Sequence, residues 1–137
     1  RSLIKLRLGG FVMQKKAKIV FQYDAIRSDL KLEEIVALIS TGDRNSPEYG
    51  LTYMILKKIT SGKRFMTKRQ TYELYMKNRE HISKASYYRI LKRLIERGMI
   101  VYNEQEEKYQ PAIFFSNALH RLAFAWEAIV VPEKQKN

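Results

Sequence analysis

The side chains best suited to chemistry in this sequence are the cations of residues 83–100, which read SKASYYRILKRLIERGMI. Lysine and arginine donate hydrogen bonds and carry positive charge, so they suit anionic ligands. Here they recur at intervals that place them on one side of a helix, while large apolar residues occupy the other side. The pattern predicts a surface that recognises an anion.

Groups suited to catalysis or metal binding are scarce elsewhere. The chain has no cysteine, and His81 and His120 are its two histidines. Thiolate metal sites are therefore excluded, and a histidine-rich site is disfavoured. We find no glycine-rich phosphate loop and no nucleophile motif. The glutamate pairs at 33–34 and 106–107 are sequence neighbours, which do not face each other on a helix. We therefore predict no enzyme activity, no metal and no cofactor.

The net charge indicates a polyanionic partner. Lysine and arginine number 26 and aspartate and glutamate 14, which gives a net charge of +12 over 137 residues. Residues 57–97 alone hold 13 cations and 3 anions, a local excess of ten. Nucleic acid is the first candidate partner and an anionic membrane surface the second. A basic protein with no special partner is the remaining interpretation.

The chain before residue 46 predicts a hairpin and a helix. Residues 3–8 and 17–23 are strand-like runs on either side of a Gly-Gly pair, a pattern typical of a hairpin. Apolar residues at 32, 35, 36 and 39 then recur at helical spacing. Ser28 or Asp29 can cap the start of this helix, and Thr41-Gly42 ends it.

Three more helices are predicted, over residues 46–62, 67–79 and 83–97. Ser46, Thr67 and Ser83 are suitable N-caps, and Thr67 begins a capping-box pattern. Gly62 and Gly98 are suitable C-terminal stops. The residues expected to face inward are Tyr72, Tyr75 and Met76 on the second of these helices and Tyr87, Leu91, Leu94 and Ile95 on the third.

The rest of the chain predicts a hairpin and a last helix. Strands are expected at 99–102 and 112–115, joined by a long polar tip, and a helix follows over about 117–131. Pro132 ends this helix and a disordered tail follows. The expected fold class is mainly α with a small β component (α+β). The predicted divisions are an N-terminal extension at 1–45, a domain at 46–115, and a C-terminal helix and tail at 116–137.

The pattern S-x-x-S-Y-Y-R-I-L-K-R-L-I-E-R-G-M-I over residues 83–100 resembles the recognition helix and following strand of winged helix-turn-helix DNA-binding proteins. It is similar to small bacterial and archaeal regulators and to plasmid- or virus-encoded proteins of archaea. The likeness is sharpest over 83–101, extends over 46–115, and is absent from 1–45 and 117–137. The resemblance implies a winged helix-turn-helix fold, with DNA contacts at Ser83, Lys84, Ser86, Tyr88 and Arg89.

The residue types support the same assignment. An α-helix fits the major groove of double-stranded DNA, and arginine is its commonest specific reader, so Arg89 is the preferred base reader. Lys84 and Ser86 are candidates for base edges or nearby phosphates. The alternative is an ordinary amphipathic helix with a solvated cationic face. The expected phosphate contacts are Lys68, Arg69, Ser83, Tyr88, Lys92 and Arg93.

The predicted hairpin tip departs from the usual cationic wing. Glu104, Glu106 and Glu107 would repel the DNA backbone, which leaves Lys108 as the cation for a phosphate contact. The tip therefore either stands off the DNA or contacts a protein. This favours a second hypothesis, a winged-helix adaptor for protein–protein contacts in a transcription, replication or partition assembly. The N-terminal extension is another candidate surface for such a partner.

The last helix is too apolar for a fully solvated surface helix. Either it packs across the domain core, or it forms the seam of a homodimer, which the N-terminal hairpin could form instead. A two-fold dimer would place two reading helices about one DNA turn, ~34 Å, apart. The residues assigned to this seam are Leu119, Leu122, Phe124, Trp126 and Ile129.

We therefore expect a cytoplasmic homodimer that binds specific double-stranded DNA sequences, with no membrane partner. Its role is transcriptional regulation, or replication or partition of a plasmid or viral locus. The residue pattern fits each of these roles equally and specifies neither the operator sequence nor the source organism. Met13 is a candidate natural start, in which case residues 1–12 are an artificial addition or part of a larger protein.

Overall fold

The fold is mainly helical with a small three-stranded antiparallel sheet, which confirms the predicted α+β class. The computed structural model describes residues 21–40, 44–131 and 133. A short 3₁₀ turn at Tyr23–Ala25 comes first in this part of the chain. The further elements are α1 (Leu32–Ile39), α2 (Pro47–Thr60), β1 (Met66–Thr67), α3 (Lys68–Asn78), α4 (Lys84–Glu96), β2 (Ile100–Asn103), β3 (Lys108–Pro111) and α5 (Phe114–Val130).

Side-chain caps determine where α2 and α3 begin. The Ser46 hydroxyl accepts a hydrogen bond from the Tyr49 N–H at 3.1 Å, and Pro47 occupies the first helical position. At α3, the Thr67 hydroxyl accepts from the Gln70 N–H at 3.0 Å, and the Gln70 side chain accepts from the Thr67 N–H at 2.9 Å. Both predicted starts are confirmed.

The predicted start of α1 is wrong. Neither Ser28 nor Asp29 caps it, because the helix begins after Lys31. The Glu34 carboxylate accepts from the Lys31 N–H at 2.8 Å, and this hydrogen bond lowers the pKa of Glu34 below its usual value. The predicted helix end at Thr41-Gly42, most of the predicted hairpin, and the tail at 134–137 lie outside the described residues. Residues 21 and 22, at the end of the predicted second strand, are not in a strand.

The sheet has the order β1-β3-β2, with both neighbouring pairs antiparallel. Tyr109 of β3 is central, opposite Met66 on one side and Tyr102 on the other. The sequence analysis missed β1, which has only two residues and shows no alternation of its own. It is a strand because it lies against β3.

The second strand of the hairpin is Lys108–Pro111, so the predicted strand at 112–115 is wrong. The turn has only four residues, 104–107, because the Asn103 side-chain oxygen accepts from the Glu106 N–H at 3.0 Å. Glu107 adopts a positive φ of 52° to complete it. The apolar residues assigned to the strand instead begin α5 at Phe114.

Gly98 ends α4 as predicted, with a left-handed φ of 79°. It also lies against the first turn of α5. A Cβ at this position would lie 2.7 Å from the Cβ of Phe114 and 2.8 Å from the backbone nitrogen of Phe115. The Phe115 N–H donates to the Gly98 carbonyl at 2.9 Å. Only glycine fits both the backbone angle and this close approach.

The core lies between α1, α2, α4 and the sheet. Val36 and Ile39 of α1 are buried in it, so the predicted division at residue 45 does not separate α1 from the domain. The other buried apolar residues are Leu51, Ile55, Leu56, Ile59, Met66, Tyr87, Ile90, Leu91, Leu94 and Ile100.

Two residues expected to face inward are exposed. Tyr72 is 46% exposed and Ile95 is 39% exposed. On α3 the buried position belongs to Thr71, one residue earlier, and on α4 Ile90 is buried instead of Ile95. Tyr87 of α4 meets α3 at Thr71, where its hydroxyl donates to the Thr71 carbonyl at 2.7 Å.

Candidate nucleic-acid interface

The first turn of α4 is held by Ser83. Its hydroxyl accepts from the Ser86 N–H at 3.1 Å, and the two serine hydroxyls lie 3.0 Å apart. This confirms Ser83 as the N-cap. The cap leaves the start of the helix exposed, with the small Ala85 at its surface. A ligand could therefore approach the backbone of this turn closely.

Ser86 also contacts Arg89, one helical turn later. The Arg89 guanidinium donates to the Ser86 hydroxyl at 3.3 Å, and both residues are half-buried. Fewer rotamers of Arg89 are compatible with this contact, so the guanidinium is partly preorganised before any ligand binds. A planar guanidinium held in this way suits the paired acceptors of an anion or a base edge.

The outward face of α4 consists of positions spaced three or four residues apart. Ala85, Arg89, Lys92 and Glu96 lie on the side opposite the buried residues. Ala85 and Lys92 are exposed, and Lys84 is exposed in the same first turn, roughly a quarter turn around the helix from Ala85. We call Lys84, Ala85, Arg89 and Lys92 the α4 face.

Four tyrosines connect α3 to α4. Centroid distances are 6.2 Å for Tyr72–Tyr75, 5.6 Å for Tyr75–Tyr87 and 5.2 Å for Tyr87–Tyr88. Burial raises the pKa of Tyr87 and of Tyr88, so both phenols remain neutral hydrogen-bond donors at physiological pH. Tyr88 is only half-buried, so its neutral hydroxyl is suited to a phosphate oxygen.

Tyr72 is a surface residue that the sequence analysis missed. The Lys84 ammonium lies 6.0 Å from the centre of its ring, so the two side chains form one exposed aromatic and cationic patch beside the α4 face. Tyr72 was assigned to the core because an aromatic residue at helical spacing is usually buried. The buried residue on this part of α3 is Thr71, one position earlier.

Lys68 and Arg69 are exposed in the first turn of α3, as a phosphate contact requires. The Lys68 N–H donates to the Glu107 carbonyl at 2.9 Å, so the start of α3 adjoins the 104–107 turn. The acidic residues of that turn therefore lie close to these two cations.

Lys108 and Arg93 each form an ion pair within the protein. The Lys108 ammonium lies 2.6 Å from the Glu106 carboxylate and 4.3 Å from the centre of the Phe65 ring. Arg93 forms an ion pair with Glu48 of α2 at 2.6 Å. Both cations have nearby partners, so a phosphate would have to compete for them.

Arg97 was not singled out by the sequence analysis. Its guanidinium donates to the Ile39 carbonyl at 2.6 Å, at the end of α1. Burial, together with the neighbouring Arg93, lowers the pKa of Arg97 below its usual value, which still leaves it charged at physiological pH. Arg93 and Arg97 therefore fasten α4 to α1 and α2.

The residues assigned to a dimer seam lie on an exposed apolar surface. Leu122, Phe124, Trp126 and Ile129 are each more than 60% exposed, and Leu119 is 42% exposed. No residue of α5 is buried. One side of this helix also lines an apolar groove with Ile35, Leu38 and Ile39 of α1. Among the described residues, α5 therefore contacts the core near its start, at Phe115, and leaves most of its apolar side chains exposed.

In the described ranges there is no group of three or more His, Cys, Asp or Glu side chains that could hold a metal ion. Across the same residues, no helix combines the length and the apolar character needed to cross a bilayer.

The fold and this surface define a mainly helical α+β protein with a cationic helix face. Residues 31–132 match the model of an archaeal protein family, and the chain belongs to that family. Comparison with curated proteins and with solved structures found no match.

Proposed function

We propose that this protein binds specific sequences of double-stranded DNA through the α4 face. The observation that carries the proposal is the Ser86–Arg89 contact on that face, within a segment whose charge excess is ten. Arginine reads guanine through two hydrogen bonds in the major groove. Lys92 and Lys84 on either side of Arg89 would neutralise the flanking phosphates.

The order of elements supports a winged helix-turn-helix domain. From α2 to β3 the order is helix, strand, helix, helix and hairpin, with β1 at the edge of the sheet beside β3. In this arrangement α3 and α4 are the helix-turn-helix pair, and the 104–107 turn is a short wing. The α4 face would enter the major groove.

The contacts divide the predicted site residues into two sets. Ser83 caps α4, Arg93 pairs with Glu48, and Lys108 pairs with Glu106, so we remove these three from the proposed set of DNA contacts. Ser86 is assigned to holding Arg89 as well as to base contact. The proposed phosphate contacts are Lys68, Arg69, Tyr72, Lys84, Tyr88 and Lys92.

We propose that α5 joins two copies of the chain. Its exposed aromatic and aliphatic side chains form an apolar surface of the kind that marks a protein interface. A second copy is the favoured occupant, because a two-fold pair of α4 faces would read an inverted repeat on DNA. The dimer would act in the cytoplasm, in transcriptional regulation or in replication or partition of a plasmid or viral locus.

Selection of bound duplexes from a random pool tests the proposal. We expect enrichment of one inverted repeat, and a mobility shift on that repeat at moderate salt. The affinity should fall steeply with salt, because each neutralised phosphate releases counterions. Selection that enriches no sequence, with no retained fragment at any salt concentration, would contradict DNA binding.

The acidic turn favours a second function, that of a protein–protein adaptor. Glu104, Glu106 and Glu107 are exposed at its tip, and Glu106 already neutralises Lys108. Such a tip suits a basic protein surface better than a DNA backbone. Replacing Glu104 and Glu107 with glutamine separates the two functions. An adaptor would lose its partner, whereas a DNA-binding protein would bind DNA at least as tightly.

A further inference from the structure

A second cationic surface lies between α2 and α3. We define it as the lysine groove, formed by Lys57, Lys58, Lys63 and Lys77. Two adjoining depressions run along it and share Lys58 and two polar neighbours. All four lysines are exposed, and among the described residues Glu73 is the one acidic side chain that lines the depressions.

The lysine groove lies on the opposite side of α3 from α4. On α3 it is lined by Gln70, Glu73 and Lys77, whose spacing places them on one side of the helix. Tyr72 and Tyr75 contact α4 residues, and at 3.6 residues per turn they lie roughly half a turn around α3 from that side. A duplex that contacts the α4 face and the first turn of α3 would therefore leave Lys57, Lys58 and Lys77 free to contact a second ligand.

The four lysines of the groove form no ion pair within the described part of the chain. The Lys57 ammonium lies 5.7 Å from the centre of the Tyr53 ring, which leaves its charge in place. Four separate ammonium groups on flexible stems suit a repeated anion such as the phosphates of a nucleic acid backbone.

The floor of the groove favours a nucleic acid over an acidic peptide. An amphipathic peptide needs exposed apolar pockets for its anchoring side chains. Of the apolar side chains that line the two depressions, Met66 is 1% exposed, Leu74 and Phe65 are half-buried, and Met54 is 40% exposed. One exposed side chain is too few for a peptide helix that needs several anchoring pockets. The attraction would come from the rim of lysines.

We propose that the lysine groove binds the backbone of a second DNA duplex, so that the protein bridges two DNA segments. This inference rests on the proposed function, because the first duplex is the one held by the α4 face. The second contact would be independent of sequence, since flexible lysines contact phosphates without reading bases.

A co-capture experiment tests the bridge. A duplex with the selected site is tethered to beads, the protein is added, and a labelled duplex of unrelated sequence follows. The test variant carries Lys58→Gln, Lys63→Gln and Lys77→Gln. The control variant carries Lys31→Gln, Arg44→Gln and Arg121→Gln, which removes the same charge from exposed positions elsewhere.

We expect the wild type and the control variant to capture the labelled duplex. The test variant should lose about tenfold or more of this capture while remaining on the tethered duplex, because three phosphate contacts are gone. Equal capture by the test variant would overturn the inference and would place the second duplex elsewhere, for example on the α4 face of a partner copy.

Two other outcomes separate this inference from the proposed function. Retention on the tethered duplex without capture by the wild type would overturn the bridge alone, whereas no retention would overturn both. A labelled poly-glutamate peptide that binds the wild type and not the test variant, with duplex capture equal in both, would identify an acidic protein segment as the occupant and overturn the inference.

Discussion

Arg89 is the residue on which the proposed sequence specificity depends. Its guanidinium is held by Ser86 at 3.3 Å and lies on the α4 face. Arg89→Ala should weaken binding to the selected site by about 1–3 kcal/mol and reduce discrimination against other sequences. Titration of the variant against the selected site and a scrambled duplex measures both effects.

Lys92→Ala is the matched control for Arg89→Ala. Lys92 is exposed on the same face and is assigned to a phosphate, so its loss should weaken binding to both duplexes by a similar factor. If Arg89→Ala and Lys92→Ala had the same effect on both duplexes, Arg89 would not be a base reader.

Tyr87 joins α3 to α4 through one buried hydrogen bond. Tyr87→Phe removes the donor to the Thr71 carbonyl and should lower the free energy of unfolding by about 1 kcal/mol. Urea denaturation measures the change. Tyr72→Phe is the control, because the Tyr72 ring is 46% exposed and loss of its hydroxyl should leave stability nearly unchanged. Equal stability of Tyr87→Phe and the wild type would contradict the role of this bond.

At the scale of elements, the end of α4 and the start of α5 depend on Gly98. Gly98→Ala should lower the free energy of unfolding by about 2 kcal/mol or more, because it combines a positive φ with contacts under 3 Å. Thermal or urea unfolding measures the loss.

Gly50→Ala is the control for Gly98→Ala, with the opposite expected sign. Gly50 lies within α2, and a Cβ there would meet nothing within 4 Å. Alanine should therefore stabilise the protein by about 0.5–1 kcal/mol, through its higher helix propensity. A similar loss of stability in both variants would contradict the conformational argument at Gly98.

Local signals in the sequence predicted the helices well. Ser46, Thr67 and Ser83 bond to backbone groups three residues away, so the caps that start α2, α3 and α4 are encoded within a few residues. The start of α1 was missed because the residue at its N-cap is Lys31, which is not a typical capping residue. The side chain that accepts the hydrogen bond there is that of Glu34, three residues later.

The sheet was harder to predict because its strands depend on distant partners. The two residues of β1 are a strand only through pairing with Tyr109 and Lys108 of β3. The apolar run at 112–115 has the composition of a strand. Its last two residues instead begin α5, whose first turn packs against Gly98, a distant residue in the sequence. The α4 face could be predicted from the spacing of its charges. The ion pair of Arg93 could not, because its partner Glu48 is distant in the sequence and is brought close only by the fold.

At the scale of the whole molecule, the exposed face of α5 predicts a dimer. Phe124 is 69% exposed in the single chain, so Phe124→Glu should leave the protomer folded and disrupt an apolar interface. Light scattering after size exclusion should find a dimer for the wild type and a monomer for the variant. Asn117→Glu, which adds the same charge at an exposed polar position of α5, should remain dimeric.

A monomeric wild type would contradict this part of the proposal. A dimer that persists in Phe124→Glu and in Trp126→Glu would place the interface away from α5. DNA binding by one α4 face would survive either result, and a monomer would bind a half-site in place of an inverted repeat.

The contact between Gly98 and Phe115 has a consequence for the proposed dimer. The first turn of α5, the helix that would join the two copies, packs against Gly98 at the end of α4. The Phe115 N–H donates to the Gly98 carbonyl at 2.9 Å. With no flexible hinge at that junction, the dimer would hold its two α4 faces at a fixed distance from each other. One base pair inserted between the half-sites should then abolish high-affinity binding, rather than being absorbed by the protein.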